Sequence, residues 1–408
     1  MKKIAIILLL TYSAIAMSST ESTIKAELGQ RHQVSGWNSS FPRHIQNFEQ
    51  YVNHYRDIIG KTRTDLSGPN RQRVITGNAP FQLEPATGCK KTTAGKYQRG
   101  IVLGHGLTDS GYQLHHFARH FQQQCFYVMV ILLPGHGTHP GDMLDMRWKS
   151  WVAAMNFAMD QMATKVDEIY VGGFSAGGTL ALFQASNDNR VRGVFTFSPA
   201  VKISSLSMFA GFIDWLGRIY EPIRWMKIMP DKDSFKYESF PHNAAWQMYQ
   251  LIKVMGESIA ENGITVPVFT VASAQDSTIE VEATVDLIKS LKNEKNKMLL
   301  YSQYQRSEPA PIKVVSSHFP EKGQLSLAHT GLSIPIEDPH YGENGAYRNC
   351  SHYYDESREN YLSCKQDEVI FVGETTQENL KQGIMRRATY NFLYREMLVE
   401  LDNFINSL

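Results

Sequence analysis

From about residue 95 to residue 301 the chain alternates short continuous apolar runs with stretches of helical spacing. Arg99-Gly100-Ile101-Val102-Leu103-Gly104 and Cys125-Phe126-Tyr127-Val128-Met129-Val130-Ile131-Leu132 are rich in branched side chains, as strands buried on both faces are. Tyr112 to Gln124 and Trp148 to Lys165 carry the helical period. The runs Glu168 to Gly173 and Arg192 to Phe197 follow. Strand alternating with helix predicts an α/β architecture with a mostly parallel central sheet and helices on both faces. From Ser198 to Gly263 the alternation stops, and Phe209, Phe212, Trp215, Leu216, Ile219, Ile223, Trp225, Met226 and Met229 mark an amphipathic helical insertion. Val266 to Val271 then resumes the sheet, Glu280 to Leu291 predicts a helix, and Lys297 to Tyr301 a last core strand. Upstream, Ile45, Phe48, Val52 and Tyr55 predict a helix over about Ile45 to Ile59. Apolar residues from Thr376 to Leu408 predict one long closing helix.

A length of 408 residues suits one large domain with decorations. With 41 basic and 40 acidic side chains the formal net charge is +1, so no overall field favours nucleic acid as a partner. Lys2 and Lys3 precede an apolar run from Ile4 to Leu10, and Ala14-Ile15-Ala16 supplies the small residues of a cleavage site. Residues 1–16 therefore read as a cleaved export signal, and the expected location is periplasmic or secreted. The apolar run is shorter than the roughly 20 residues of a spanning helix. Four cysteines suit an oxidising compartment, and of their three pairings Cys89 with Cys125 and Cys350 with Cys364 is favoured because each pair lies within one neighbourhood. Four buried free thiols remain the alternative.

Gly173-Phe174-Ser175-Ala176-Gly177 has the form G-x-S-x-G, with an apolar strand before it and a helix through Thr179 to Leu182 after it. That setting is what a nucleophilic serine needs: a tight strand-to-helix turn, with glycines where backbone approaches closely. Acyl transfer also needs two N–H donors aimed at the developing oxyanion. Ala176 supplies one, and Leu107, after the strand ending in Leu103-Gly104-His105-Gly106, supplies the other. His105 is read as ordering that loop. The acid and the base are expected after the serine, in that order. Asp276, just past the strand from Val266, is the acid, against the alternative of a residue capping the next helix. His329, in a small-residue loop flanked by Leu325, Leu327 and Leu332, is the base, with His318 as runner-up and structural roles for His340 and His352. These late histidines lack the spacing and carboxylate partners of a metal site, so no metal and no other cofactor is expected.

Beyond the serine motif, His105-Gly106 and Leu133-Pro134-Gly135-His136-Gly137-Thr138, with Trp148 and Trp151 downstream, resemble the α/β-hydrolases and, within them, carboxylesterases, monoacylglycerol lipases and lysophospholipases. The likeness spans about residues 95 to 335. It implies the α/β-hydrolase fold over 96–408, with a helical lid over about 198–263. An N-terminal extension over 17–95 and a C-terminal decoration over about 335–375 lie beyond it. The separation of Asp276 from His329 is longer than these families usually show. The implied activity is cleavage of carboxylic esters, fatty-acyl or lysophospholipid, through an acyl-enzyme. The partners would be a small-molecule or lipid ester and a membrane surface met by the lid. Amide or thioester cleavage, or a binding role on the same fold, are the alternatives.

Overall fold

Successive residues of the central strands point to opposite faces of one sheet, and each face meets its own set of helices. The computed structural model describes residues 26–366 and 370–408, so the expected export signal lies outside the described residues. The sheet strands are β1 (Phe81–Leu83), β2 (Tyr97–Gly104), β3 (Phe126–Val130), β4 (Val166–Phe174), β5 (Val191–Phe197), β6 (Val268–Ser273), β7 (Lys297–Ser302) and β8 (Ile312–Ser316). Their spatial order is β1-β3-β2-β4-β5-β6-β7-β8. Only β1 runs antiparallel, against β3; every other neighbouring pair is parallel. The helices that cover it are α1 (Phe48–Thr62), α2 (His115–Gln123), α3 (Trp148–Ala163), α4 (Ala176–Asn187), α5 (His242–Asn262), α6 (Val281–Ser290) and α7 (Tyr394–Ser407).

In β2, Val102 belongs to the core layer that contains residues of α1, α3, α4, α5 and α6, while Ile101 and Leu103 belong to the opposite layer with Phe117 and Phe121 of α2 and Leu401 and Phe404 of α7. Both faces being buried explains why these strands read as unbroken apolar runs. Of the residues before 95, α1 buries Phe48, Tyr51, Tyr55 and Ile59 and starts where the Asn47 side chain accepts the Gln50 N–H. The Tyr51 hydroxyl donates to the Leu132 carbonyl at 2.7 Å, which fixes the chain leaving β3.

The α/β prediction holds, with two corrections. The last core strand is β8, not β7: Ile312 to Ser316 pairs in parallel with Met298 to Ser302. This strand and its connections occupy the added length between Asp276 and His329. The closing helix is shorter than expected and begins at Tyr394. Gly383 takes φ +135°, which a right-handed helix excludes, and Met385–Arg387 instead forms a strand beside Phe371–Gly373.

Disulfides join Cys89 to Cys125 and Cys350 to Cys364, the favoured pairing. The insertion after β5 contains a helix at Ala210–Gly217 and then α5, whose Met248, Leu251 and Met255 pack beside Leu180 and Ala181 of α4. Its apolar residues divide: Trp225 and Met229 are buried, whereas Phe209, Phe212, Trp215 and Ile219 are exposed.

Candidate active site

The site begins where β4 stops. Gly104 and Gly173 lie opposite each other at the ends of β2 and β4, and α4 starts at once after Ser175. A Cβ on Gly173 or Gly177 would run into the Gly104 backbone, so the crossing of turn and strand demands glycine at both. Ser175 itself takes φ +50° and ψ −112°, a conformation that costs a non-glycine residue about 1–3 kcal/mol. Surrounding bonds hold it there: the Ser175 N–H donates to the Phe197 carbonyl at 2.9 Å, and the Thr179 N–H donates to the Ser175 carbonyl at 3.0 Å. The serine Oγ is thereby lifted above the C-terminal edge of the sheet, at the N-terminal end of α4.

Asp276 follows β6 in the turn leading to α6, and His329 stands in a short turn after β8. His329 Nε2 is 2.9 Å from Ser175 Oγ, and His329 Nδ1 is 2.5 Å from Asp276 Oδ2. With Nδ1–H donating to the carboxylate, Nε2 is left to accept the serine proton. The helix-capping alternative for Asp276 is not realised: the next helix begins at Val281 with Glu280 at its N-cap, and the other oxygen of Asp276 closes the turn before it. Oδ1 accepts the N–H groups of Thr278 at 2.8 Å and Ile279 at 3.2 Å. All three side chains are buried or nearly so. The other late histidines do not meet the serine. His318 Nδ1 lies 2.9 Å from the Leu325 carbonyl, His340 Nε2 lies 2.9 Å from Asp233, and His352 sits against Tyr353.

Two residues that sequence reasoning missed hold this arrangement from behind. Glu374 is fully buried and accepts the His329 backbone N–H at 3.2 Å, with a longer 3.5 Å contact from the Ser277 N–H. Arg387 forks onto the same carboxylate at 2.7 and 3.0 Å and reaches the Thr278 hydroxyl at 2.7 Å. Burial alone would raise the Glu374 carboxyl, but the Arg387 charge and hydrogen bonds from Arg387 and from the Thr375 and His329 N–H groups outweigh it and hold it at about 2. One ion pair therefore braces both the histidine loop and the loop of the acid.

Ser175 and His329 open onto a cavity of about 370 Å³. Its apolar lining includes Ile203, Met226, Phe240 and Met248 from the insertion and Ile279 from beyond β6. Its polar lining includes Lys236, Glu238, Tyr347, Asn349 and Arg387. Its charges already have partners: Lys236 pairs with Asp109 at 3.2 Å, and Glu238 accepts the Tyr347 hydroxyl at 2.7 Å. Leu107 lines the same cavity, and Ala176 opens α4 directly after the serine. His105 is buried away from the serine. Its Nδ1 contacts the Gly106 carbonyl at 2.8 Å and its Nε2 accepts the Leu133 N–H at 3.0 Å, tying the loop after β2 to the loop after β3. Burial, reinforced by the neighbouring His136, lowers its pKa well below that of a free imidazole, so it serves as a neutral brace.

The chain is similar to several known proteins. Residues 95–236 match the family described as serine aminopeptidase, S33. A thermostable monoacylglycerol lipase of Bacillus sp. (strain H-257) is 26% identical over 207 residues, covering 50% of this chain and 77% of that protein. Two solved structures are similar to it. A monoacylglycerol lipase of Paleococcus ferrophilus is 18% identical with a TM-score of 0.42, covering 65% of this chain and 93% of its own. Est1E from Butyrivibrio proteoclasticus with bound ferulic acid is 17% identical with a TM-score of 0.41, covering 58% and 84%. By its strand order and by the serine turn between β4 and α4 the chain has the α/β-hydrolase fold, and its residues 95–236, which span that turn, are similar to the serine aminopeptidase, S33, family.

Proposed function

We propose that the protein is an exported serine hydrolase of carboxylic esters, with Ser175 as nucleophile, His329 as general base and Asp276 as the acid that orients it. The observation that carries this reading is the unbroken line from Asp276 Oδ2 through the His329 ring to Ser175 Oγ, at 2.5 and 2.9 Å. In this mechanism Ser175 Oγ attacks the ester carbonyl while His329 Nε2 takes its proton. The tetrahedral oxyanion is met by the N–H groups of Ala176 and Leu107. His329 returns the proton to the leaving alcohol, and water then repeats the attack on the acyl-enzyme. No metal or other cofactor enters these steps.

Fatty-acyl or lysophospholipid esters fit the cavity best. Its apolar lining suits an acyl chain, and its polar lining, where Lys236 pairs with Asp109 and Arg387 with Glu374, suits a polar alcohol. The residues from 198 to 263 act as a lid, supplying most of the apolar lining. On the outer side, Leu206, Phe209, Phe212, Trp215 and Ile219 form an exposed apolar surface for contact with lipid. Export agrees with the two disulfides, which persist in oxidising compartments.

The matched family's description favours a second reading, cleavage of an amide at a peptide N-terminus. Such a substrate needs an unpaired carboxylate for its ammonium group, and the cavity's Asp109 and Glu238 are both engaged. The test is turnover of a p-nitrophenyl ester series of increasing acyl length beside the matching anilides. The account predicts ester turnover with a medium or long optimum and negligible anilide cleavage. Anilide turnover without ester turnover would replace it.

A further inference from the structure

His115 and His116 stand at the start of α2, and Asp338 arrives from the C-terminal segment 222 positions after His116. Asp338 is buried, and both its oxygens are engaged. Oδ1 accepts the N–H groups of His340 at 2.8 Å and Tyr341 at 2.7 Å. The Tyr112 hydroxyl reaches both oxygens at 3.2 to 3.3 Å. Oδ2 lies 2.8 Å from His116 Nε2 and 3.6 Å from His115 Nε2. The three ligand atoms all lie within 4.8 Å of one another.

His115 Nδ1 sits 2.6 Å from the Tyr112 carbonyl, so Nδ1 carries the proton and donates it there. Its Nε2 therefore presents a lone pair toward a carboxylate oxygen. Two acceptors facing each other gain nothing from one another, but a cation between them satisfies both. A ring N–H held by a backbone carbonyl is also the usual support for a ligating imidazole. Tetrahedral zinc with bonds of roughly 2.0–2.1 Å separates neighbouring ligand atoms by about 3.3 Å, and the observed 2.8 and 3.6 Å bracket that value. Two imidazole nitrogens and one carboxylate suit zinc rather than calcium or magnesium, which take oxygen ligands. Both histidine side chains are about one-quarter exposed, at 25% and 26%, which leaves room for a water in the fourth position.

We propose that His115, His116 and Asp338 form a zinc site that fastens the C-terminal segment to α2. Among the described residues this is the one group of three His, Cys, Asp or Glu side chains with such spacing. None of the three lines the cavity onto which Ser175 opens, and the site takes no part in the acyl-transfer steps. Its effect is mechanical. The neighbouring His340 and Tyr341 bond to Asp233, just before Lys236 and Glu238 in the polar lining of the cavity.

The test is calorimetric titration of zinc chloride into untagged, chelator-treated protein, with thermal unfolding followed in parallel. One saturable zinc per chain and a raised unfolding midpoint are expected. His115→Gln and Asp338→Asn should each weaken binding by roughly tenfold or more. His44→Gln, at a separate surface histidine pair, should bind as wild type does. If Asp338→Asn fails to fold, His115→Gln, at a half-buried position, still decides the matter. Absence of saturable zinc binding in wild type, or unchanged binding by folded His115→Gln, overturns the site. Ester turnover is read separately, so failure here leaves the hydrolase reading untouched.

Discussion

Replacing Glu374 with glutamine removes one charge from behind the loops that carry His329 and Asp276 while keeping the side chain's shape. The carboxyl is held at about 2 against an ordinary 4.5, a gap worth about 3 kcal/mol of native stability at neutral pH. Breaking a buried ion pair by removing one partner costs about 3–5 kcal/mol, and the lower end applies because the Arg387 side chain is 19% exposed. Both routes predict that Glu374→Gln loses about 3 kcal/mol at pH 7. The contribution of a depressed carboxyl is complete above its unfolded value of 4.5 and is lost as pH falls from there through about 2. The gap between wild type and variant should therefore shrink to roughly half by pH 3. Urea unfolding at the two pH values, followed by tryptophan fluorescence, measures it. Since Glu374 accepts the His329 N–H, kcat on a soluble ester should fall by roughly 10–100-fold while KM changes little. A loss below about 1 kcal/mol at pH 7, or a gap as large at pH 3 as at pH 7, would refute the reasoning.

Gly177→Ala should cost about 3 kcal/mol and most activity, because its Cβ meets the Gly104 backbone. By contrast, Gly256→Ala, in α5 with open space around it, should raise stability by about 1 kcal/mol in thermal melts. The Cys350 to Cys364 bridge stands beside Asn349 and Ser351 on the cavity wall. Its removal as a double serine variant should cost about 3 kcal/mol by the loop-closure argument and shift the acyl-length optimum, with turnover of the shortest esters retained. Phe212 and Trp215 are 61% and 60% exposed, and replacing both with serine should reduce binding to phospholipid vesicles in a flotation assay. Hydrolysis of a water-soluble short ester should stay as it was.

Where the sequence was legible, the signal was local. Ser175 announces itself because strand, turn and helix must follow one another within a dozen residues for the elbow to form. Cys89 and Cys125, and Cys350 and Cys364, were legible because each pair is close along the chain. His329 had no motif, only a small-residue loop after the sheet, and its assignment depended on order along the chain. Glu374 and Arg387 were illegible for a physical reason. Charged residues read as solvent-exposed, and their burial as a pair depends on His329, Ser277 and Thr278 arriving from elsewhere in the sequence. His115 and His116 were passed over likewise, since Asp338 joins them only in three dimensions. The strand Ile312–Ser316 was missed because it is short, follows Pro309-Ala310-Pro311, and lies at the sheet edge with Lys313 exposed. In the closing segment, helical spacing persists in the letters, but Gly383 and the pairing of Met385–Arg387 interrupt it.

The central claim is that Ser175 is a nucleophile activated by His329. The most direct measurement is covalent trapping with a fluorophosphonate, read by intact mass and peptide mapping in wild type, Ser175→Ala, His329→Ala and heat-unfolded protein. The account predicts a single adduct per native chain, on Ser175, absent from Ser175→Ala and from unfolded protein and much slower in His329→Ala. A native, folded wild type that takes no label, or one labelled elsewhere while Ser175→Ala labels equally, would contradict it.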